Sequence, residues 1–303
     1  MTDKPRVSVI ITSYNYEKYI EQTVKSALQQ SYSNLEVIVV DDGSSDRSLE
    51  ILNRLAVQDP RIQVVTHKDN KNLGLAASLC LALSKARGDL VAFLESDDYW
   101  STTSLSDRIH VLTATKAEII VGGIELIKEN DADVSWYLSY LKRIYSSFKQ
   151  FSSDGQASFS LEDDFLYENQ IPTFSCVLAK RELFKNVNFD SPVQKWLDWW
   201  IWSQLSMNCR FGYCDSICTF WRIHKGSYNS KVKIISYLND GGKIWKGFRQ
   251  QFSLMYRDRG KYRQYLFLQT PFFLRLFIRL CMIIKYEGFK SGAFRIKTRV
   301  FGK

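Results

Sequence analysis

Val37-Ile38-Val39-Val40-Asp41-Asp42-Gly43-Ser44-Ser45-Asp46 is the stretch whose reading decides the fold. Four consecutive β-branched residues run straight into acids, a glycine and serines. An apolar run this short, bounded by turn residues, is expected to be a strand buried on both faces. Gly43 permits a tight turn, and Ser45 or Asp46 can cap the helix that follows. A capped turn accounts for Asp46 in full but for Asp41 and Asp42 only in part. Carboxylates at such a strand end can also accept hydrogen bonds from a base N–H or from ribose hydroxyls.

The same alternation extends outward on both sides. Val7–Thr12, Ile62–Thr66 and Leu90–Leu94 read as further buried strands, and Tyr19–Gln30, Ser48–Val57 and Leu75–Ala86 as the helices between them. Strand-helix repetition at this spacing predicts a parallel α/β sheet covered on both faces. In such sheets ligands sit at the carboxyl ends of the strands. That places the candidate site at Thr12–Asn15, Asp41–Asp46 and Glu95–Tyr99. Glu95-Ser96-Asp97-Asp98 sets three carboxylates within four residues, where they repel unless solvated or neutralised. Oxygen donors at a strand end suit Mg²⁺ or Mn²⁺ shared with a diphosphate; the plain alternative is a solvated acidic loop. No Gly-x-Gly-x-x-Gly follows the first strand and no Walker lysine loop is present, against a dinucleotide oxidoreductase or a P-loop NTPase.

Composition narrows the partners. The chain has 303 residues, 45% hydrophobic and 24% charged, which excludes collagen-like, mucin-like and wholly disordered classes. Its net charge of +9 is unevenly spread: residues 240–303 hold 15 Lys and Arg against 3 Asp and Glu, leaving 26 against 29 in residues 1–239. The basic residues lie outside the motif-bearing region and no nucleic-acid motif accompanies them, so no nucleic-acid partner is expected. Cys80, Cys176, Cys209, Cys214, Cys218 and Cys281 form no CxxC pair. Met1–Arg6 leads directly into a strand without a signal-peptide pattern, so a cytoplasmic protein with reduced cysteines is expected. No apolar run reaches the roughly 18 residues of a spanning helix.

Beyond residue 100 the pattern loosens. Lys128–Glu168 is polar and aromatic and is expected to hold helices and a long loop. Trp245, Phe248, Phe252 and Tyr256 recur at helical spacing. Thr270-Pro271 is a helix start, followed by an apolar face and by Arg275, Arg279, Lys285, Lys290, Arg295, Lys297, Arg299 and Lys303. Such a basic amphipathic segment can lie on an anionic membrane or pack on the catalytic domain with a solvated end.

Taken in order, several segments resemble the family 2 glycosyltransferases with the GT-A fold. They are Val7-Ser8-Val9-Ile10-Ile11-Thr12-Ser13-Tyr14-Asn15, Gln29-Gln30-Ser31-Tyr32, Val39–Asp46, Asn72-Leu73-Gly74-Leu75-Ala76, Ala86-Arg87-Gly88-Asp89 and Phe93–Asp98. More loosely, the likeness extends to Ile171–Ser175, Lys180–Phe184, Leu197–Trp202 and Trp221–Ser227. The resemblance implies a Rossmann-like, mostly parallel sheet with helices on both faces over residues 1–230, its nucleotide-sugar half about 1–100 and its acceptor half about 101–230. Residues 231–303 would be a basic, mainly helical C-terminal extension.

By position, the resemblance implies that Thr12, Tyr14, Asn15, Asp41, Asp42 and Asp97 hold the nucleotide, with Tyr14 against the base. Asp97 and Asp98 match the metal motif, Asp98 as the expected direct ligand. His224 would reach the metal or diphosphate, supported by Arg222 and Ser227. Asp198 matches the general base of inverting members. Glu95 stands where Asp is usual, and Leu197 where many members carry Glu. Cys80 replaces a frequent Asn, reading either as an altered donor contact or, preferred here, as a small buried thiol. Trp199 and Trp200, with Trp196 and Trp202, are expected either to offer a sugar-stacking face or to be core.

The resemblance thus implies transfer of a sugar from a nucleotide-diphosphate sugar, a UDP-sugar being commonest, to a hydroxyl of a glycan or lipid-linked glycan. Mg²⁺ or Mn²⁺ would neutralise the departing diphosphate while Asp198 removes the acceptor proton. Many relatives act on lipid-linked glycans, which favours peripheral association of 265–303 with the inner face of the cytoplasmic membrane. The alternatives are a non-catalytic nucleotide-sugar-binding protein on the same fold and a sugar nucleotidyltransferase.

Overall fold

The computed structural model describes residues 4–129, 132, 134–153, 158–166, 168–193, 196–224 and 234–269. Strands β1 (Val7–Ser13), β2 (Leu35–Asp41), β3 (Ile62–Thr66) and β4 (Leu90–Phe93) lie side by side as β3-β2-β1-β4, every pair parallel. The period-2 alternation of each strand splits its residues between two cores. Ile10, Ile38, Val40, Val91 and Phe93 face one core, and Val9, Ile11, Val37, Val39 and Ala92 the other. Helix α3 (Leu75–Lys85) covers the first face through Leu79 and Ala82. Helices α1 (Ile20–Leu28) and α2 (Ser48–Gln58) cover the second through Ile20, Val24, Leu52 and Leu55. Being covered on both faces is why these strands are apolar throughout rather than alternating.

The remaining elements are β5 (Tyr99–Trp100), α4 (Ser104–Ala114), β6 (Ile119–Lys128), α5 (Ser135–Ser153), β7 (Val177–Lys180), α6 (Leu197–Ser206), β8 (Phe211–Ile223), α7 (Ile234–Asp258) and α8 (Tyr262–Gln269). The sheet continues as β4-β7-β6-β8-β5. β7 runs antiparallel to both neighbours, and β5 is antiparallel to β8, while β6 and β8 are parallel. The expected, mostly parallel sheet is a mixed eight-stranded one: parallel across the nucleotide half and reversed at β7 and again at β5. A reversed strand is invisible to hydropathy, because a buried strand reads the same in either direction.

The anticipated helix around Trp245 is α7, and Trp245, Phe248, Phe252 and Tyr256 are all buried. They pack on α6, with Trp200 and Phe248 stacked at 5.7 Å and an interplanar angle of 4°. These residues belong to the same apolar cluster as Ile10 and Phe93 of the sheet. The start of the extension is thus continuous with the catalytic core. Ser227 and residues 270–303, on which the Ser227 assignment and the basic tail helix fall, lie outside the described residues.

Candidate active site

The carboxyl ends of β1, β2 and β4 converge, as expected for this topology. After β1 the chain turns through Thr12, Ser13, Tyr14 and Asn15. Thr12 is partly buried, and Tyr14 is 47% exposed, its ring open to a planar partner. Asn15 has a left-handed backbone with φ 59°. Its side-chain Oδ1 accepts from the Ser45 N–H at 2.7 Å and its own N–H donates to Ser44 Oγ at 2.9 Å, tying the β1 turn to the β2 turn. Asp41 is fully buried and accepts from the Ser44 N–H at 2.9 Å and the Ser44 hydroxyl at 2.6 Å. Asp42 accepts from the N–H groups of Leu73 and Gly74 at 2.7 and 2.9 Å, and so holds the entry to α3. Gly43, at φ 76°, packs against residues 70–72; a Cβ there would meet the Asn70 carbonyl oxygen at 2.7 Å. Glycine is needed there for space as well as for φ. Asp41 and Asp42 are therefore enclosed in the cradle, with Tyr14 and Asn15 its exposed side chains and Thr12 partly buried.

The acidic turn after β4 is organised from within. Asp98 is fully buried, and its oxygens accept from the Arg222 N–H at 2.9 Å and the Ser175 hydroxyl at 2.6 Å. Thr23 Oγ1 of α1 lies 2.9 and 2.7 Å from the carbonyl oxygens of Ser96 and Asp98, pinning the turn from below. Glu95 accepts from the Thr173 hydroxyl, and its N–H donates to Ser175 Oγ at 2.9 Å. Asp97 keeps a partly exposed carboxylate, 3.1 Å from His224 Nε2, whereas the partly exposed Glu95 is engaged by Thr173. Tyr16 bonds the Asp97 carboxylate, and its ring stands edge-on to His224 at 6.4 Å.

The motif reading expects Asp98 to be the direct metal ligand. In this geometry its carboxylate is enclosed and engaged, and Asp97 is the acid turned to the site. Adjacent residues in a tight turn point in different directions, and which one is enclosed depends on donors that arrive from residues 175 and 222.

Burial and charge repulsion together raise the acids of this turn. Burial, then the charge of Asp97, pushes the Glu95 carboxyl up to about 8. Burial, followed by Asp97 and Glu95, holds Asp98 well above the usual carboxylate range. Burial and the same acids raise the Tyr16 phenol far above its ordinary value. Among the described residues no three His, Cys, Asp or Glu side chains converge to hold a metal by themselves. The donor chemistry still fits a hard divalent cation: one outward carboxylate, an imidazole beside it and uncompensated negative charge behind. Mg²⁺ in particular is bound through few carboxylates together with substrate phosphates.

Arg222 is buried and fully employed as a brace. Its guanidinium donates to the Asp97 carbonyl at 2.6 Å and to Gln22 Oε1 at 2.8 Å, and pairs with Glu129 at 3.4 Å. It also lies 4.5 Å over the Tyr19 ring. This arrangement holds the Arg222–His224 segment against the acidic turn.

Across the cleft, Asp198 lies in the first turn of α6. Burial pushes its carboxyl up to about 6, even though N–H groups of the helix start and the Asn169 side chain hold it down. Its charge is felt at Glu95, so the two acids share one electrostatic site. Leu197 is 1% exposed and packs in the core, so the residue replacing the familiar acid serves packing here.

Two side-chain expectations resolve toward the core. Trp199, Trp200 and Trp202 are all buried, and the indole N–H groups of Trp199 and Trp200 donate to the carbonyls of Phe165 and Asn188 at 2.8 Å. Trp199 and Trp200 pack on α7 and Trp202 on Phe93, Phe174 and Phe184, rather than forming a sugar platform; Trp196 is the partly exposed member of the four. Cys80, read as a small buried thiol, is exposed on α3 instead. Tyr16, Gln22, Glu129, Asn169, Thr173 and Ser175 were not singled out by sequence. Thr173 and Ser175 lie inside the quoted Ile171–Ser175 segment, and Tyr16 follows Asn15 directly. For Gln22, Glu129 and Asn169 no local signal exists.

The fold and this arrangement of strand-end acids define a GT-A glycosyltransferase. The chain matches Glycosyl transferase family 2 over residues 8–187. It is 32% identical over 227 residues to the UDP-Glc:alpha-D-GlcNAc-diphosphoundecaprenol beta-1,3-glucosyltransferase WfaP of Escherichia coli, spanning 74% of this chain and 80% of that protein. Among solved structures it resembles S. aureus TarS 1-349 in complex with UDP-GlcNAc, with TM-score 0.57, 20% identity and coverage of 79% and 65% of the two chains. The mannosyltransferase PcManGT of Pyrobaculum calidifontis in complex with GDP-Man and Mn2+ aligns with TM-score 0.58 and 18% identity, covering 97% of this chain and 79% of that one. The chain belongs to glycosyltransferase family 2.

Proposed function

We propose that the protein transfers a sugar from a UDP-sugar to a hydroxyl of a lipid-diphosphate-linked glycan, with inversion at the anomeric carbon. The observation that carries this reading is Asp198. It is a carboxylate raised to about 6, across the cleft from the acidic turn and sharing its electrostatic site. A base of that strength is ionised at neutral pH yet avid for a proton. Asp198 would take the proton from the acceptor hydroxyl as that oxygen attacks the anomeric carbon from the face opposite the departing diphosphate. Tyr14 would stack on the base, with Thr12, Asn15, Asp41, Asp42 and Asp97 forming the nucleotide cradle.

Asp97 and His224 would hold Mg²⁺ or Mn²⁺, with Glu95 and Asp98 adding charge from behind. When bound, the cation would offset the negative charge of the diphosphate leaving group. The protein's own part is to orient the outward carboxylate, through Tyr16, His224 and the Arg222 brace. The choice of donor and acceptor class is supported by the activity for which WfaP is named and by the UDP-GlcNAc complex of TarS. Family membership weighs against the sugar nucleotidyltransferase alternative. A panel of nucleotide sugars assayed with Mn²⁺ is expected to give free UDP with one UDP-sugar and none without metal. Absence of UDP release from every donor would favour the non-catalytic binding alternative.

A lipid-linked acceptor places the work at a membrane surface. Among the described residues no helix is long and apolar enough to cross a membrane. We assign surface attachment to the basic segment 270–303. Helix α8 should be kept in any truncation, since Leu268 is fully buried in the core. Removing residues 270–303 is expected to abolish co-sedimentation with anionic vesicles at low salt while leaving donor binding unchanged. Equal vesicle binding by the truncated protein would overturn the assignment.

A further inference from the structure

We infer that Asn169, held by helix α5, is the positioning residue that aims Asp198 and sets its basicity. The inference rests on Asp198 being the base.

Asn169 Nδ2 donates to Asp198 Oδ2 at 2.7 Å. The other end of the same amide, Oδ1, accepts from the Ile171 N–H at 3.2 Å, just before Pro172. An amide with its oxygen fixed on the backbone can turn only its NH₂ toward the carboxylate. The backbone is fixed as well: the Tyr140 hydroxyl of α5 donates to the Asn169 carbonyl at 2.7 Å. One residue earlier, Glu168 is ion-paired with Arg143, also of α5. Tyr140 and Arg143 are three residues apart and so share one helical face. Two adjacent loop residues are thus gripped by one face of α5, and the loop presents a single donor to the base.

The charge environment of Asp198 makes this donor consequential. The groups facing it are Glu95 from the turn after β4, Tyr140 from α5, and the first-turn N–H groups of α6. Glu168 and Arg143 lie beyond Tyr140 and compensate each other. Burial favours the protonated form of Asp198. Among the described residues, Asn169 is the side chain that opposes burial by hydrogen bonding, because its N–H stabilises the ionised form. Without it, Asp198 would carry its proton at neutral pH. Helix α5 is a long insertion between β6 and β7, absent from the strand-helix repeat, and this contact gives it a function.

The test is the pH dependence of kcat/KM for purified enzyme with saturating Mn²⁺. In Asn169→Ala the acid limb is expected to move upward by about one to two pH units, the effect of losing one hydrogen bond to a charged acceptor. At pH 6.5 the loss should be about three- to twentyfold, with recovery toward pH 9, and donor affinity should be unchanged. Asn169→Ser, which keeps a donor, should fall between. Tyr140→Phe removes only the grip on the carbonyl and should give a smaller shift in the same direction. It also serves if Asn169→Ala fails to fold. An unmoved acid limb in folded Asn169→Ala or Tyr140→Phe would overturn the inference. If Asp198→Asn turns over normally, the base assignment itself has failed. If Asp198→Asn is inactive but the limb is unmoved in the Asn169 variant, only the positioning role has failed.

Discussion

Asp198→Asn is expected to lower the transfer rate by about a hundredfold to ten-thousandfold, the range set by loss of a general base. The substitution keeps shape and hydrogen-bonding partners while removing the proton acceptor, so the dissociation constant for the donor sugar should not change. In the unsubstituted enzyme, the rate should fall about tenfold per pH unit below the Asp198 value of about 6. Stability should move the other way. The folded-state value lies above the ordinary carboxylate value of about 4, so the fold binds a proton more tightly than the unfolded chain does. Stability from this group is therefore present at low pH and is lost as pH rises through about 6. At pH 7 the wild-type protein carries that cost and the Asn variant does not. The melting temperature of Asp198→Asn at pH 7 should be equal to or above that of the wild type. An inactive but equally or more stable protein is the expected outcome; undiminished turnover would remove Asp198 from the mechanism.

The second large effect separates two neighbouring acids. Asp97→Ala should abolish Mn²⁺ binding, read by titration calorimetry or by the Mn²⁺ resonance signal, with little change in melting temperature. The lost contacts to His224 and Tyr16 are offset by relief of the repulsion that raises Glu95 and Asp98. Asp98→Ala should instead destabilise. It leaves the Arg222 N–H and the Ser175 hydroxyl without their buried acceptor, at about 1–3 kcal/mol for each orphaned donor. Relief of repulsion returns part of this. A drop of about 5 °C or more is expected for a chain of this size. The opposite pattern, with Asp98→Ala folded but metal-free and Asp97→Ala still binding Mn²⁺, would make Asp98 the direct ligand, as the motif implies.

These contrasts show where local pattern stops being informative. The strands and helices of the first hundred residues were legible to within a residue or two at most ends, because burial on both faces forces continuous apolar runs. The three strand ends that form the site were legible for the same reason: acids follow those runs immediately. Tryptophans 199, 200 and 202 were not assignable, since an aromatic cluster at a helix start looks alike whether it faces a sugar or another helix. The arrival of α7 placed Trp199 and Trp200 in the core, while Phe93, Phe174 and Phe184 enclose Trp202. The reversal at β7 and the role of α5 were likewise hidden, as neither leaves a periodic trace.

By itself, the sequence determined the order of elements, the family and the short list of acids at the strand ends. Those properties reside in neighbours a few residues apart. Tertiary structure decided which acid each distant donor would meet. Arg222 and Ser175 enclose Asp98, His224 and Tyr16 attend Asp97, and Asn169 reaches Asp198 across 29 positions. Carboxylates of the same type become enclosed, partly exposed or strongly raised in pKa through desolvation and partners, and both arise only when the chain has folded.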